Sequence, residues 1–153
     1  GIGNLVNRVV GQFSPEGRPS VGVLTFKELR LDKQTPFSRI LKEDFQSILV
    51  QFKDLLVRES YMPSSNLEPR EWARKEGLKY FITGSYRLEK KGLEVRAQMT
   101  ESETGRVIST ARVQIDRNEV HPDDLFAIQN SVPLRFLSLK GKRFVQRFPR
   151  FLP

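Results

Sequence analysis

The apolar and polar positions of this 153-residue chain change period along its length, and the changes mark out its elements. In residues 4–13 (NLVNRVVGQF), Leu5, Val6, Val9, Val10 and Phe13 recur at three- and four-residue steps, which predicts one apolar stripe on a helix. The stretch Ser14-Pro15-Glu16-Gly17 breaks it. Residues 20–26 (SVGVLTF) form a short run rich in Val and Leu, the pattern of a buried strand. Thr35 and Pro36 then give a helix start. Threonine suits the N-cap, and proline suits the first helical position, where its missing N–H is not needed. Phe37, Ile40, Leu41, Phe45, Ile48, Leu49 and Phe52 follow at helical spacing and predict the strongest amphipathic helix of the chain. Leu55, Leu56 and Val57 predict a short strand, and residues 62–66 a turn-rich connection. Residues 69–77 predict a short helix that turns Trp72 and Ala73 inward and ends at Gly77.

From Leu78 the period becomes two. Tyr80, Ile82, Gly84, Tyr86 and Leu88 alternate with Phe81, Thr83, Ser85 and Arg87. Leu93, Val95, Ala97 and Met99 alternate with Glu94, Arg96, Gln98 and Thr100, and Val107, Ala111, Val113 and Ile115 oppose Arg106, Arg112 and Gln114. Gly-containing turns separate the three runs, so they predict antiparallel strands with one face on the core and one in water. The expected fold is α/β, of the two-layer α+β kind: a mixed sheet with its main helices on one face, ending in a three-stranded antiparallel meander. Residues 1–116 make the domain, and residues 117–153 make a basic, Phe-rich C-terminal extension.

Composition narrows the function classes. No apolar run approaches the roughly 20 residues that cross a bilayer. The absence of cysteine removes disulfides, thiol catalysis and thiolate metal sites. Gly1 is expected to be a processed or trimmed terminus, with room for a lipidated cysteine upstream. The formal charge is +8, and residues 117–153 hold seven Lys/Arg against three Asp/Glu, so half of the excess lies in that extension. Such polarity points to an anionic partner.

Two blocks carry a resemblance. Residues 21–49 (VGVLTFKELRLDKQTPFSRILKEDFQSIL) and 73–113 (ARKEGLKYFITGSYRLEKKGLEVRAQMTESETGRVISTARV) resemble the FlgO domain of flagellar outer-membrane proteins. The wording D-K-Q-T-P before the helix, T-G-S-Y and T-G-R-V carries the likeness, which spans roughly residues 4–115 and leaves 117–153 without a counterpart. The same plan occurs in the TolB N-terminal domain, the lipoprotein activators of penicillin-binding proteins and the curli secretion channel. The resemblance implies a non-enzymatic structural component of the flagellar basal body or outer-membrane ring. It further implies a periplasmic protein, associated with the outer membrane at the flagellar base, that forms a homo-oligomeric ring and contacts other flagellar or envelope proteins. The alternative it leaves open is a periplasmic envelope adaptor that activates a peptidoglycan synthase.

The candidate chemistry is that of surfaces. Gly84-Ser85 lacks the second glycine and the strand-to-helix turn of a nucleophile elbow, so Ser85 is read as a strand residue. His121 with Asp123 and Asp124 is too small a set for a tetrahedral metal site, and suits a helix start instead. No catalytic, cofactor-binding or metal-ligating residue is therefore assigned, and the carboxylate pairs fit solvated surface. In the extension, Arg135, Phe136, Lys140, Lys142, Arg143, Phe144, Arg147, Phe148, Arg150 and Phe151 interleave basic and aromatic groups. Three roles remain open for them: packing on the domain itself, docking on a neighbouring protein, or contact with anionic lipid. Nucleic acid is disfavoured, since no recognised binding signature is present. Arg87, Arg96, Arg106 and Arg112 on the polar sheet face are the candidate subunit interface, and the edge strands are a second route to assembly.

Overall fold

The computed structural model describes residues 1–12, 16–30, 34–59 and 67–119. Within them the order is α1 (Ile2–Val10), β1 (Ser20–Glu28), α2 (Pro36–Leu49), β2 (Leu56–Val57), α3 (Pro69–Lys75), β3 (Tyr80–Glu89), β4 (Gly92–Glu101) and β5 (Val107–Asp116), followed by one 3₁₀ turn, Arg117–Glu119. The strands make one sheet in the order β2-β1-β3-β4-β5. β1 runs parallel to β2 and β3, while β3, β4 and β5 are antiparallel. This is the expected mixed sheet ending in a meander. None of the described helices is long and apolar enough to cross a membrane.

The helices form on the predicted stripes, although α1 starts at Ile2 and ends at Val10, and Phe13, the last member of its stripe, lies outside the described residues. Ile2, Leu5, Val6, Val9 and Val10 of α1 are all buried. α2 starts at Thr35 in an extended conformation (φ −126°), whose N–H donates to Ser38 Oγ at 2.9 Å. Ser38 N–H in turn donates to Thr35 O at 3.0 Å. The helix ends three residues before the predicted stripe does, and Phe52 packs half-buried against the core from the following turn.

Phe37, Leu41, Phe45, Ile48 and Leu49 of α2 meet Val21, Val23 and Phe26 of β1, and Ile82, Tyr86, Leu93, Val95, Ala97 and Met99 of the meander, in one core that α1 completes. Burying one such side chain is worth about 1.5–3 kcal/mol. The main helices α1 and α2 thus share one face of the sheet. α3 does not: Ala73, with Trp72 beside it, packs on Leu24, Leu78 and Phe81 in a separate cluster. Phe81 alternates with the core residue Ile82, which puts this cluster on the opposite face. Gly77 closes α3 at φ +73°, the left-handed conformation expected of it.

Two assignments fail: of the carboxylate pair Glu43-Asp44 expected on solvated surface, Asp44 is buried at 3% exposure on α2, and one inward position on β5 is lost. Val107 was expected among the core positions of β5, yet it is 47% exposed. Pairing runs Met99↔Ser109 but Thr100↔Val107, so β5 carries one extra residue there. That bulge turns Val107 to the face of Thr100, because a one-residue slip moves a side chain across the sheet. The inward position two residues on is taken by Ser109, whose Oγ donates to Val9 O at 2.7 Å and so satisfies a carbonyl at the end of α1.

Candidate partner-docking surface

Alternation along β3, β4 and β5 places Arg87, Glu94, Arg96 and Arg112 on the outer face. Register then decides which of them meet. Arg87 lies opposite Glu94, and Arg96 lies opposite Arg112. Two arginines directly across a strand pair repel each other, and Glu94 sits where it can offset this. Its Oε1 accepts from Arg87 at 3.2 Å and from Arg96 Nε at 3.2 Å, and its Oε2 lies 3.6 Å from Arg112. Arg87 also donates to Glu89 Oε2 at 2.8 Å. The Glu94 side chain is only 8% exposed, against 48% for Arg96 and 66% for Arg112. A nearly buried carboxylate therefore holds three guanidiniums whose outer sides face water. Ion pairs to groups this exposed contribute only about 0–1 kcal/mol each to stability. Their effect is to fix the direction of the arginine forks.

The structure thus brings together three of the four predicted arginines. Arg106 stands apart, 4.0 Å from Glu101, which also accepts from Thr104 Oγ1 at 2.7 Å. Glu101 is seven positions along β4 from Glu94, roughly 23 Å at strand rise. The ten predicted residues from Arg135 to Phe151, the metal set around His121, and residues 62–66 lie outside the described residues.

Beside the arginine cluster is an open hollow of about 620 Å³ lined by Thr83, Ser85, Gln98, Thr110, Arg96 and Arg112, with Arg8 arriving from α1. Ser85 lies mid-strand, opposite Arg96, without the turn that an activated serine needs. Gly84 beside it is required by packing: a Cβ there would come within 2.3 Å of the Phe26 ring and 2.6 Å of Arg96 O. Among the described residues no group of three or more His, Asp or Glu side chains is placed to hold a metal ion. What this face can do chemically is present guanidinium, hydroxyl and amide donors to an anionic surface.

Two perturbed groups lie on the helix side. Burial pushes the Tyr86 hydroxyl above the usual phenol range, while its bonds to Thr35 and Ser38 pull it back in part. That hydroxyl meets Thr35 Oγ1, so it anchors the start of α2. Burial also lowers Lys42, against the opposing pull of Glu43. Neither group faces the arginine cluster. Sequence reasoning did not single out Glu94 or Arg8. A lone acid among arginines in a period-two run was a signal for the first, and nothing local marks the second.

No protein-family model matches the chain, and no curated protein matches it by sequence. Solved structures do. The LpoB C-terminal domain from Salmonella enterica superposes with a TM-score of 0.59 at 13% identity, covering 75% of this chain and 95% of that one. The same domain from Escherichia coli gives 0.56 at 14% identity, with coverage of 75% and 95%. The solution structure of Escherichia coli LpoB gives 0.53 at 12% identity, covering 75% of this chain and 65% of that one. The fold is that of the LpoB C-terminal domain. It is carried here on a sequence that shares about one residue in eight.

Proposed function

We propose that this protein is a non-enzymatic adaptor of the bacterial envelope, acting in the periplasm beside the outer membrane by binding another protein. The reading that the fold favours is activation of a peptidoglycan synthase, with the Arg87–Glu94–Arg96–Arg112 face as the docking surface. One observation carries it: the likeness to LpoB domains at TM-scores of 0.53–0.59. The arginine face supports it, because exposed arginines held in place suit a protein interface. The test adds the purified protein to a peptidoglycan synthase of the same organism and measures binding and glycan-polymerisation rate. Stimulation that is lost with Arg96→Glu is the expected result. A synthase that neither binds nor speeds up removes this reading.

The second reading is a scaffold at the flagellar base, and its support is the sequence resemblance of residues 21–49 and 73–113. Gene deletion separates the two: loss of motility with normal walls favours the scaffold, and wall defects with normal motility favour the adaptor. In either role the basic extension, residues 117–153, is proposed as a second docking element. Self-association into a ring belongs to the scaffold reading. Removing residues 134–153 should leave a folded domain that no longer assembles; rings from the shortened chain would refute that role for the arm.

A further inference from the structure

The outer edge of β5 is occupied by one side chain from the last turn of α1 and one from the turn that follows it. In an antiparallel strand, the N–H and C=O of one residue point to the same side, and the sides alternate. Thr110 and Arg112 aim both groups away from β4, since their carbonyls are met from the other side. Gln12 Nε2 donates to Thr110 O at 2.6 Å, and the Arg8 guanidinium donates to Arg112 O. Gln12 Nε2 also donates to Arg8 O at 2.8 Å, which ties the two together. Ser109 Oγ holds the same helix end from the buried side, through Val9 O.

We propose that Arg8 and Gln12 guard this edge against the addition of a strand from a second copy of the chain. A row of unpaired N–H and C=O groups on an edge strand is a template for pairing. Among the described residues β5 and β2 are the edge strands; β5 has ten residues, long enough to serve, whereas β2 has two. A second copy is the occupant that fits because β5 is self-complementary about Ala111. A two-fold pairing centred there sets Thr110 of each copy opposite Arg112 of the other. Both outward N–H and C=O sets are then met, and no two arginines stand face to face. With Arg8 and Gln12 in place, the two carbonyls such a pairing needs are already filled. The guard does not rest on the adaptor reading, because it uses the backbone carbonyls of Thr110 and Arg112 and not the arginine side chains around Glu94.

The test compares the parent chain with the Arg8→Ala/Gln12→Ala variant by light scattering over a concentration series and by amide hydrogen exchange. The variant should associate at about tenfold lower concentration, as freeing hydrogen-bonding groups of this strength implies. Thr110 and Arg112 amides should exchange about tenfold more slowly in the associated form. Adding Thr110→Pro removes one outward N–H, a change that an edge strand tolerates, and should return the mass to that of the parent. Gln12→Ala alone frees one carbonyl from an exposed position and should shift association in the same direction by less. A folded double variant with parental mass and parental exchange at Thr110 and Arg112 overturns the proposal. So does association that Thr110→Pro leaves untouched. If the double variant does not fold, an unchanged mass in Gln12→Ala decides against it.

Discussion

On the inner side of β4, Leu93, Val95, Ala97 and Met99 are each at most 3% exposed, while Arg96, between two of them in sequence, leaves 48% of its side chain in water. The two faces of one strand therefore do different work. The inner face supplies the free energy of folding, by removing apolar area from water against α1 and α2. The outer face holds charges whose mutual attraction is largely screened, so it adds little stability and is free to be used for recognition. Glu94 is the exception, a carboxylate set into the outer face at 8% exposure, and it joins the two roles by fixing where the arginines point.

The comparison yields a ranked set of outcomes. Phe45→Ala removes a fully buried ring that packs 5.8 Å from Phe26 and should cost roughly 3–5 kcal/mol in denaturant unfolding. Tyr86→Phe deletes the hydroxyl that meets Thr35 and should cost about 1 kcal/mol at neutral pH. The pH dependence has a sign. Burial holds the Tyr86 pKa above its usual 10.0, so the hydroxyl ionises more readily in the unfolded chain than in the folded one. Its contribution is complete below pH 10 and is lost as pH rises from there through the folded value. Tyr86→Phe should flatten that alkaline loss, and unfolding curves between neutral and strongly alkaline pH will show whether it does.

Glu94→Gln should cost roughly 1 kcal/mol, because the arginines it holds are half exposed and can turn to water. Its larger effect should be on partner affinity, as the forks lose their common direction; calorimetry of the complex reads this directly. Arg96→Ala should change stability by less than about 0.5 kcal/mol while weakening partner binding. Should Arg96→Ala unfold the domain as readily as Phe45→Ala, the division between the faces would be wrong.

Most of the fold was legible because it follows from neighbours in sequence. The stripe of α1 from Leu5 to Val10, the Thr35-Pro36 start of α2, the Gly77 stop and, apart from Val107, the three period-two runs are local patterns that appear at their places. The candidate site was legible in part. The arginines were visible as an outer-face set, but nothing in their spacing said that Arg87, Arg96 and Arg112 would share one carboxylate while Arg106 stood apart. Arg106 follows Gly105 in the β4–β5 turn, at the far end of the sheet from Glu94, and only the strand pairing reveals that distance.

What the chain determined by itself is its alternation of greasy and polar positions, which dictates a half-buried meander under amphipathic helices through the hydrophobic effect alone. What tertiary structure decided is everything set by register: the bulge that turned Val107 outward, the placing of α3 on the opposite face, the gathering of arginines around Glu94, and the contact of Arg8 and Gln12 with the edge of β5. The reason is physical. Periodicity is a property of residues two to four apart, whereas register is chosen by contacts between residues up to about a hundred positions apart, such as Arg8 and Arg112, and no local pattern encodes them.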